Sequence, residues 1–253
     1  MDILKEVVSG QFAHLVITLI LGLAIGVIEK RNPARNINSY SEHFIEIYAL
    51  LLIFFVALVL GLLHRNIQLV LDLTRIQTAI SSTPWYLLVP LTSLIADFGN
   101  YFAHRILHTN FFWKFHRWHH SPEHLFWFSG FRGSAVHVIF LAITSMIILT
   151  ITGPNPWVIG TIVIQGLTAQ MLGHMNIDIK NSFLEKILVL PQFHRIHHAV
   201  DRKLNDSNFG FCWTFWDKLF KTFTPINSVP ENYPLGLMES DKKSLRKLII
   251  GND

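Results

Sequence analysis

The sequence predicts an all-α fold, an integral-membrane helical bundle of about four to five spans plus an interfacial helix, with a cytoplasmic histidine-rich cap. Three observations lead there. Only 15% of the 253 residues are charged and 51% are hydrophobic, against about 25% charged in an ordinary soluble chain. The apolar residues gather into runs whose length approaches that of a bilayer core about 30 Å thick. Of the 14 histidines, 11 fall between His104 and His198, around the ends of those runs.

The clearest run is 45–63, interrupted by Glu46 near its start and apolar from 49 through 63. Residues 15–28 form another, with Gly22 and Gly26 spaced as a small-xxx-small helix-packing pair. Glu29, Lys30 and Arg31 follow it in place of a small-residue cleavage site, so it reads as a retained span and not a signal peptide. Residues 85–102 are apolar apart from Asp97 and Asn100 near their end. Residues 135–151 make a clean run closed by Gly153-Pro154-Asn155-Pro156, a strong turn signal. Residues 157–172 return, with Gln165 and Gln170 as polar interruptions. Between the second and third runs, residues 66–82 mix Ile67, Val70, Leu71, Ile76 and Ile80 with Asp72 and Arg75, which predicts an amphipathic interfacial helix.

Charge asymmetry orients the bundle. Lys30, Arg31 and Arg35 follow the first run, and Arg105, Lys114, Arg117 and Arg132 follow the third. The stretch from Lys180 onward is also rich in basic residues. Five crossings put all three groups on one side, leaving Lys5, Arg65 and Arg75 opposite, which predicts an external amino terminus and a cytoplasmic carboxyl terminus. The basic residues flank membrane segments and match no nucleic-acid-binding module. The single Cys212 excludes an intramolecular disulfide and a cysteine zinc cage.

The histidines form blocks: His104-x3-His108, His116-x2-His119-His120, the single His174, and His194-x2-His197-His198. Residues three and four apart share a helix face, so each block can offer two imidazoles to one ion. Adjacent histidines diverge by about 100° and can reach two different ions. The five-span topology brings every block to the same face. His14, His43 and His64 read as isolated polar residues at a membrane interface, and His124 as a loop residue after Ser121-Pro122. The blocks resist that reading, because nine imidazoles beside a membrane either repel as cations or sit desolvated without partners. Metal ligation resolves both. Nine histidines exceed what one zinc takes, HExxH is absent, and no carboxylate falls within the blocks to complete a facial iron triad. Spacing alone leaves zinc, copper, iron and nickel open.

In combination, these residues resemble the fatty acid hydroxylase and sterol desaturase superfamily. Asp97-x3-Tyr101-x2-His104-Arg105-x2-His108, His116-x2-His119-His120-Ser121, Gly173-His174-Met175-Asn176 and His194-x2-His197-His198 are similar to its successive histidine motifs. Asp206-Ser207-Asn208-Phe209-Gly210 and Trp216-Asp217-x-Leu219-Phe220-x-Thr222-Phe223 are similar to its closing motifs. Many members carry R-x-HP-x-E where this chain reads Arg132-Gly133-Ser134-Ala135-Val136-His137. Ser134 replaces that histidine, as in the alkylglycerol monooxygenase branch, and His137 stays open between ligand and supporting or packing residue.

The resemblance implies a non-haem diiron enzyme that uses O2 and external electrons to hydroxylate, or desaturate, an unactivated C–H bond of a lipid. It implies His104, His108, His116, His119, His120, His174, His194, His197 and His198 as ligands to two iron ions. Asp97 and Asn208 are candidates to receive the second N–H of a ligating imidazole; Asp97 otherwise faces the bundle interior or caps a helix end. Lipid enters from the bilayer, past Phe126, Trp127, Phe128 and Phe131 or with these as an interfacial belt. No haem, flavin or iron–sulfur motif appears, so electrons come from a partner: a reductase, a ferredoxin or cytochrome type of carrier, or a pterin. The expected organisation is a single membrane domain over 1–253, with spans and interfacial helix in 1–83, the catalytic region in 84–223 and a tail in 224–253. The active site is expected on the cytoplasmic side of a bacterial inner membrane, or of the endoplasmic reticulum in a eukaryote. Rival readings are a histidine-rich membrane zinc protein, either a lipid hydrolase or a metal transporter, and a bis-histidine haem protein.

Overall fold

A computed structural model describes residues 2–37, 43–181 and 183–252. Two long helices, α1 (Asp2–Arg31) and α2 (His43–Val70), are followed by the short α3 (Thr74–Ser81) and by α4 (Trp85–Leu107). A single turn, α5 (Trp113–His116), and a 3-10 turn (Trp127–Phe131) lead to α6 (Ala135–Thr152) and α7 (Pro156–Leu167). Beyond these come the short helices α8 (Pro191–His197), α9 (Arg202–Asn205), α10 (Phe215–Leu219) and α11 (Leu245–Ile250). Among the described residues no strand forms, and only two isolated bridges occur, Leu188 with Trp213 and Ala199 with Leu235. The fold is a membrane helical bundle.

Among the described residues three helices are long and apolar enough to cross a bilayer: Leu4–Arg31, Phe44–Ile67 and Ala135–Thr152. The pair α3 and α4 meets the same test only together and is bent by 120°, which makes a fourth span if counted as one. The fifth run, Pro156–Leu172, is shorter; a helix of that length covers only about 25 Å of a core about 30 Å thick. The interfacial helix is also shorter than expected. α2 runs on to Val70, so only Thr74–Ser81 remains as a separate short helix, and none of its residues is buried. Along the spans, large apolar side chains such as Phe12, Leu23, Leu91 and Ile164 face outward, as a lipid-facing surface requires.

The long helices share one end, where the histidines gather. There α1 brings Glu29, whose Oε1 accepts from the backbone N–H groups of Trp127 and Asn176, each at 2.8 Å. α2 brings Glu46 to Arg132, α4 ends in His104 and His108, and α6 starts at Ser134, whose Oγ caps it by accepting from His137 N. At the far end Arg65 meets Glu6 at 3.6 Å and Gln77 Nε2 donates to the Thr150 carbonyl. The turn there follows the Gly-Pro-Asn-Pro signal. Gly153 adopts a φ of 67°, open to glycine at little steric cost, and Asn155 Oδ1 accepts from Trp157 N and Val158 N. The helix-packing glycines have a different partner from the one expected. A Cβ at Gly22 would lie 2.2 Å from the Trp127 ring, and one at Gly26 3.2 Å from its Nε1, so the pair seats an indole against α1.

Candidate metal centre

The nine clustered histidines are all buried, and their ring nitrogens fall into two groups, each with its atoms within 4.8 Å of one another. One group is His104, His108, His116, His120 and His197; the other is His119, His174, His194 and His198. Each HxxHH block is thus divided. His116 and His120 sit four residues apart in one group while His119 turns to the other, and His194 and His198 pair while His197 crosses over.

Within the first group, Nε2 of His104 lies 3.1 Å from that of His116, His116 3.1 Å from His120, and His120 3.2 Å from His108. Within the second, Nε2 separations are 3.3 Å for His119 with His174, 3.3 Å for His174 with His194, and 3.2 Å for His194 with His198. A metal–imidazole bond of about 2.1 Å sets ligand nitrogens about 3.0 Å apart at right angles and about 3.4 Å apart in a tetrahedron. The observed separations are those of ligand nitrogens around an ion.

The opposite ring nitrogens establish which way the lone pairs point. A carbonyl oxygen can only accept, so Nδ1–H of His104 donates to Phe209 O (3.0 Å), His119 to Arg132 O (2.9 Å), His174 to Ala169 O (3.1 Å) and His197 to Ser207 O (2.7 Å). His108 Nδ1–H donates to Asp206 Oδ1 at 3.1 Å. With Nδ1 protonated, a neutral imidazole carries its lone pair on Nε2. His119 and His174 therefore face each other with two lone pairs and no proton between them. That contact repels unless a cation lies between the nitrogens.

The local fold supplies these carbonyls. After α7 the chain makes one π-helical turn, Thr168–Leu172, in which Gly173 N bonds back to Thr168 O. That shift leaves Ala169 O for His174, an arrangement found often where π turns occur at functional sites. Gly130 packs so closely beneath it that a Cβ there would lie 1.8 Å from Gln170 O and 2.8 Å from His174 Nδ1. His137 lies outside both groups. Its Nδ1 is 2.8 Å from His116 Nδ1, so it backs a histidine of the first group. Asn205 places its carboxamide nitrogen 3.2 Å from His120 Nδ1.

A cavity of about 310 Å³ opens onto His104, His119, His137, His174 and His194 and extends among the spans to Phe54 and Ala57 on α2 and Leu141 and Ser145 on α6. His14 forms part of this wall, its ring 5.6 Å from that of Phe54, while His64 is half-buried near the far end of α2 and His124 is exposed in a loop. The side chain of His43 lies outside the described residues. Of the four candidate entry aromatics, Phe131 lines the cavity, whereas Trp127 and Phe128 stack on each other and pack against the core of α1 and α2.

The sequence profile named Fatty acid hydroxylase matches residues 89–222, more than half of the chain. The chain belongs to the fatty acid hydroxylase family. Among curated proteins it is similar to the ornithine lipid hydroxylase OlsE of Rhizobium tropici, 33% identical over 140 residues that cover 53% of this chain and 41% of that protein. It is also similar to the alkylglycerol monooxygenases of Xenopus tropicalis (33% over 137 residues; 53% and 30%) and of Homo sapiens (32% over 136 residues; 52% and 29%). The chain matches less than half the length of each of these relatives. No solved structure matches it at a significant level.

Two residues of the hydroxylase motifs brace the loops, and among the described residues their hydrogen bonds go to backbone groups. Asp97 Oδ1 and Oδ2 accept from the backbone N–H groups of Cys212 (2.7 Å) and Trp213 (3.3 Å). Asn208, at a φ of 57°, bonds Phe193 O and Thr224 through its carboxamide. The partners that sequence reasoning missed are Asp206 and Asn205 and the carbonyls of Arg132, Ala169, Ser207 and Phe209. Asp217 supports the last of these. Its carboxylate accepts from Phe209 N, Gly210 N and Thr222 Oγ1, and burial pushes it up to about pKa 6.

Burial, and then the neighbouring imidazoles, hold His108, His116, His120, His174, His194, His197 and His198 well below the ordinary histidine value. Burial lowers His119 from 6.5 to about 4. The unfolded chain therefore takes up protons on acidification before the folded chain does, so stability falls as pH drops below 6.5. His119 alone accounts for about 3 kcal/mol by pH 4. The thermal midpoint of metal-free protein in detergent is expected to fall between about pH 7.5 and about pH 5. A midpoint that holds or rises over that interval contradicts the buried, neutral histidines.

Proposed function

We propose that this chain is a membrane non-haem diiron oxygenase that hydroxylates, or desaturates, an unactivated C–H bond of a lipid, using O2 and external electrons. The observation that carries the proposal is the opposed lone pairs of His119 and His174 within one of two groups of converging nitrogens. The donor set suits two ions. His104, His108, His116, His120 and His197 would hold one iron, and His119, His174, His194 and His198 the other. When bound, the irons supply the O2 and electron chemistry needed to break an unactivated C–H bond.

The chain's own residues orient and exclude. The carbonyls of Phe209, Arg132, Ala169 and Ser207 and the Asp206 carboxylate keep Nε2 unprotonated and aimed inward. Asp97 and Asn208 act further out, by fixing the segments that carry Phe209 and His194. The cavity walls of Ile53, Phe54, Leu141 and Val163 admit an alkyl chain to the histidine end and keep bulk water away. The proposed catalytic region is 84–223 within a single membrane domain; residues 1–83 contribute Gln11, His14 and Ile53 to the same cavity wall, and 224–253 form the tail. The lipid substrate accords with the names of the relatives, one an ornithine lipid hydroxylase and others alkylglycerol monooxygenases. The electron donor is a separate reductase, ferredoxin, cytochrome or pterin, and the site faces the cytoplasm, in keeping with the excess of Lys and Arg at the histidine end. A zinc site takes three or four protein ligands, which disfavours a zinc hydrolase or transporter with nine.

Metal analysis on detergent-purified protein from iron-supplemented cells is the test. About two irons per chain, no haem absorption and O2-dependent conversion of a lipid are expected. A single tightly held zinc that survives anaerobic ferrous loading overturns the oxygenase.

A further inference from the structure

The cavity has a polar feature that plain hydrocarbon does not satisfy. Ala96, Asn100 and His104 line it at successive turns of α4, with Gln165 on α7 and Gln11 on α1. Asn100 is 8% and Gln165 5% exposed. In each of the three carboxamides the carbonyl oxygen is buried without a hydrogen-bond partner: Gln11 Oε1, Asn100 Oδ1 and Gln165 Oε1. The orientation of Gln165 is settled by its nitrogen, which donates to Ser93 O and Ser93 Oγ, each at 2.9 Å. Only the nitrogen can serve the Ser93 carbonyl, so the oxygen is the free end. Buried polar atoms in native folds nearly always find a partner, and three acceptors missing one along a single cavity point to donors arriving with the occupant.

We propose that Asn100 and Gln165 form a subsite for a hydrogen-bond donor on the lipid, a hydroxyl or an amide N–H, carried into the membrane-embedded cavity. The inference rests on the reading of this cavity as the lipid site and deepens it by naming the substrate class. Asn100 precedes His104 by one turn, about 6 Å along the helix, so the donor group sits within a few bonds of the carbon presented to the histidines. The substrate is then a hydroxylated or amide-bearing lipid, and not an unsubstituted alkyl chain. A site built to satisfy a donor also selects against chains lacking one, because an empty acceptor remains buried beside them.

Equilibrium binding to metal-free, detergent-solubilised protein tests this without requiring turnover. The paired probes are tetradecanol with methyl tetradecyl ether, and N-methyltetradecanamide with N,N-dimethyltetradecanamide; within each pair a methyl group replaces the donor hydrogen, and the added apolar carbon by itself favours the member without the donor. The donor-bearing member is expected to bind about tenfold more tightly, the usual worth of one neutral hydrogen bond. Asn100→Leu, which breaks no hydrogen bond to the rest of the bundle, and Gln165→Met are each expected to reduce that preference, and loss in either supports the subsite. Equal binding of both members by the wild type overturns it, with water then serving the carboxamides, and so does an undiminished preference in both variants. Metal content on the same samples reports separately on the diiron reading, so the two can fail independently.

Discussion

His119→Ala is expected to abolish lipid oxidation and to lower retained iron from about two per chain to about one. The argument is one of numbers and position. His119 is the only member of its block directed to the second group, which has three other donors. Its lone pair is one of the two whose mutual repulsion demands a cation. Losing a residue that merely supports a ligand commonly costs about 10- to 100-fold in metal affinity, and losing the donor itself costs at least the upper figure. His137→Phe is the control. His137 backs His116 through Nδ1 and belongs to neither group, so this variant is expected to keep both irons and lose about tenfold in turnover. Iron content and turnover measured on the same preparations separate the two. Full activity in His119→Ala, or a loss of iron in His137→Phe as deep as in His119→Ala, removes the proposed division of ligands.

The histidine blocks were readable because their spacing carries a direction: i, i+4 pairs share a face and adjacent histidines cannot. That geometry allows His116 to pair with either His119 or His120; the structure pairs it with His120 and sends His119 to the other group. What hides from sequence is the far side of each ring. Four Nδ1 atoms donate to backbone carbonyls, of Arg132, Ala169, Ser207 and Phe209, and a carbonyl has no residue signature. Ala169 is available only because of the π turn at 168–172, which nothing in Thr-Ala-Gln-Met-Leu announces. Asp97 and Asn208 looked like imidazole partners because they are polar residues inside histidine motifs, yet both serve backbone groups that a buried loop would otherwise leave unsatisfied. Asp206, in the same closing motif, is the carboxylate that reaches a ring. The span count followed hydropathy for α1, α2 and α6. The count depends on how two elements are taken where apolar content and helix length part company, the sharply bent α3–α4 pair and the short α7. Gly22 and Gly26 signalled close approach correctly, but the approaching group was Trp127, more than a hundred residues away in the chain.

Glu46→Ala is expected to destabilise the fold by about 3–5 kcal/mol, the cost of breaking a buried ion pair from one side. Glu46 interrupts the apolar run 45–63 of α2 and is fully buried. Its Oε1 accepts from Arg132 Nε at 2.8 Å and Nη2 at 2.5 Å, while Arg132 Nη1 donates to Ser121 Oγ at 3.1 Å. Removing the carboxylate leaves a guanidinium where water does not reach, so the chain must open locally or repack. The thermal midpoint in detergent reads the loss, and an unchanged midpoint refutes it. Glu46→Met combined with Arg132→Met should recover most of the stability, since apolar replacements of a whole buried pair are often neutral. Iron separates structure from positioning here. The carbonyl of Arg132 is the acceptor for His119, so any shift of this residue in the single variant is transmitted to the group that orients that ring. The single variant should therefore lose iron from the His119 group first. In the double variant the side chain at 132 changes but its backbone carbonyl remains in place, so iron should return along with stability.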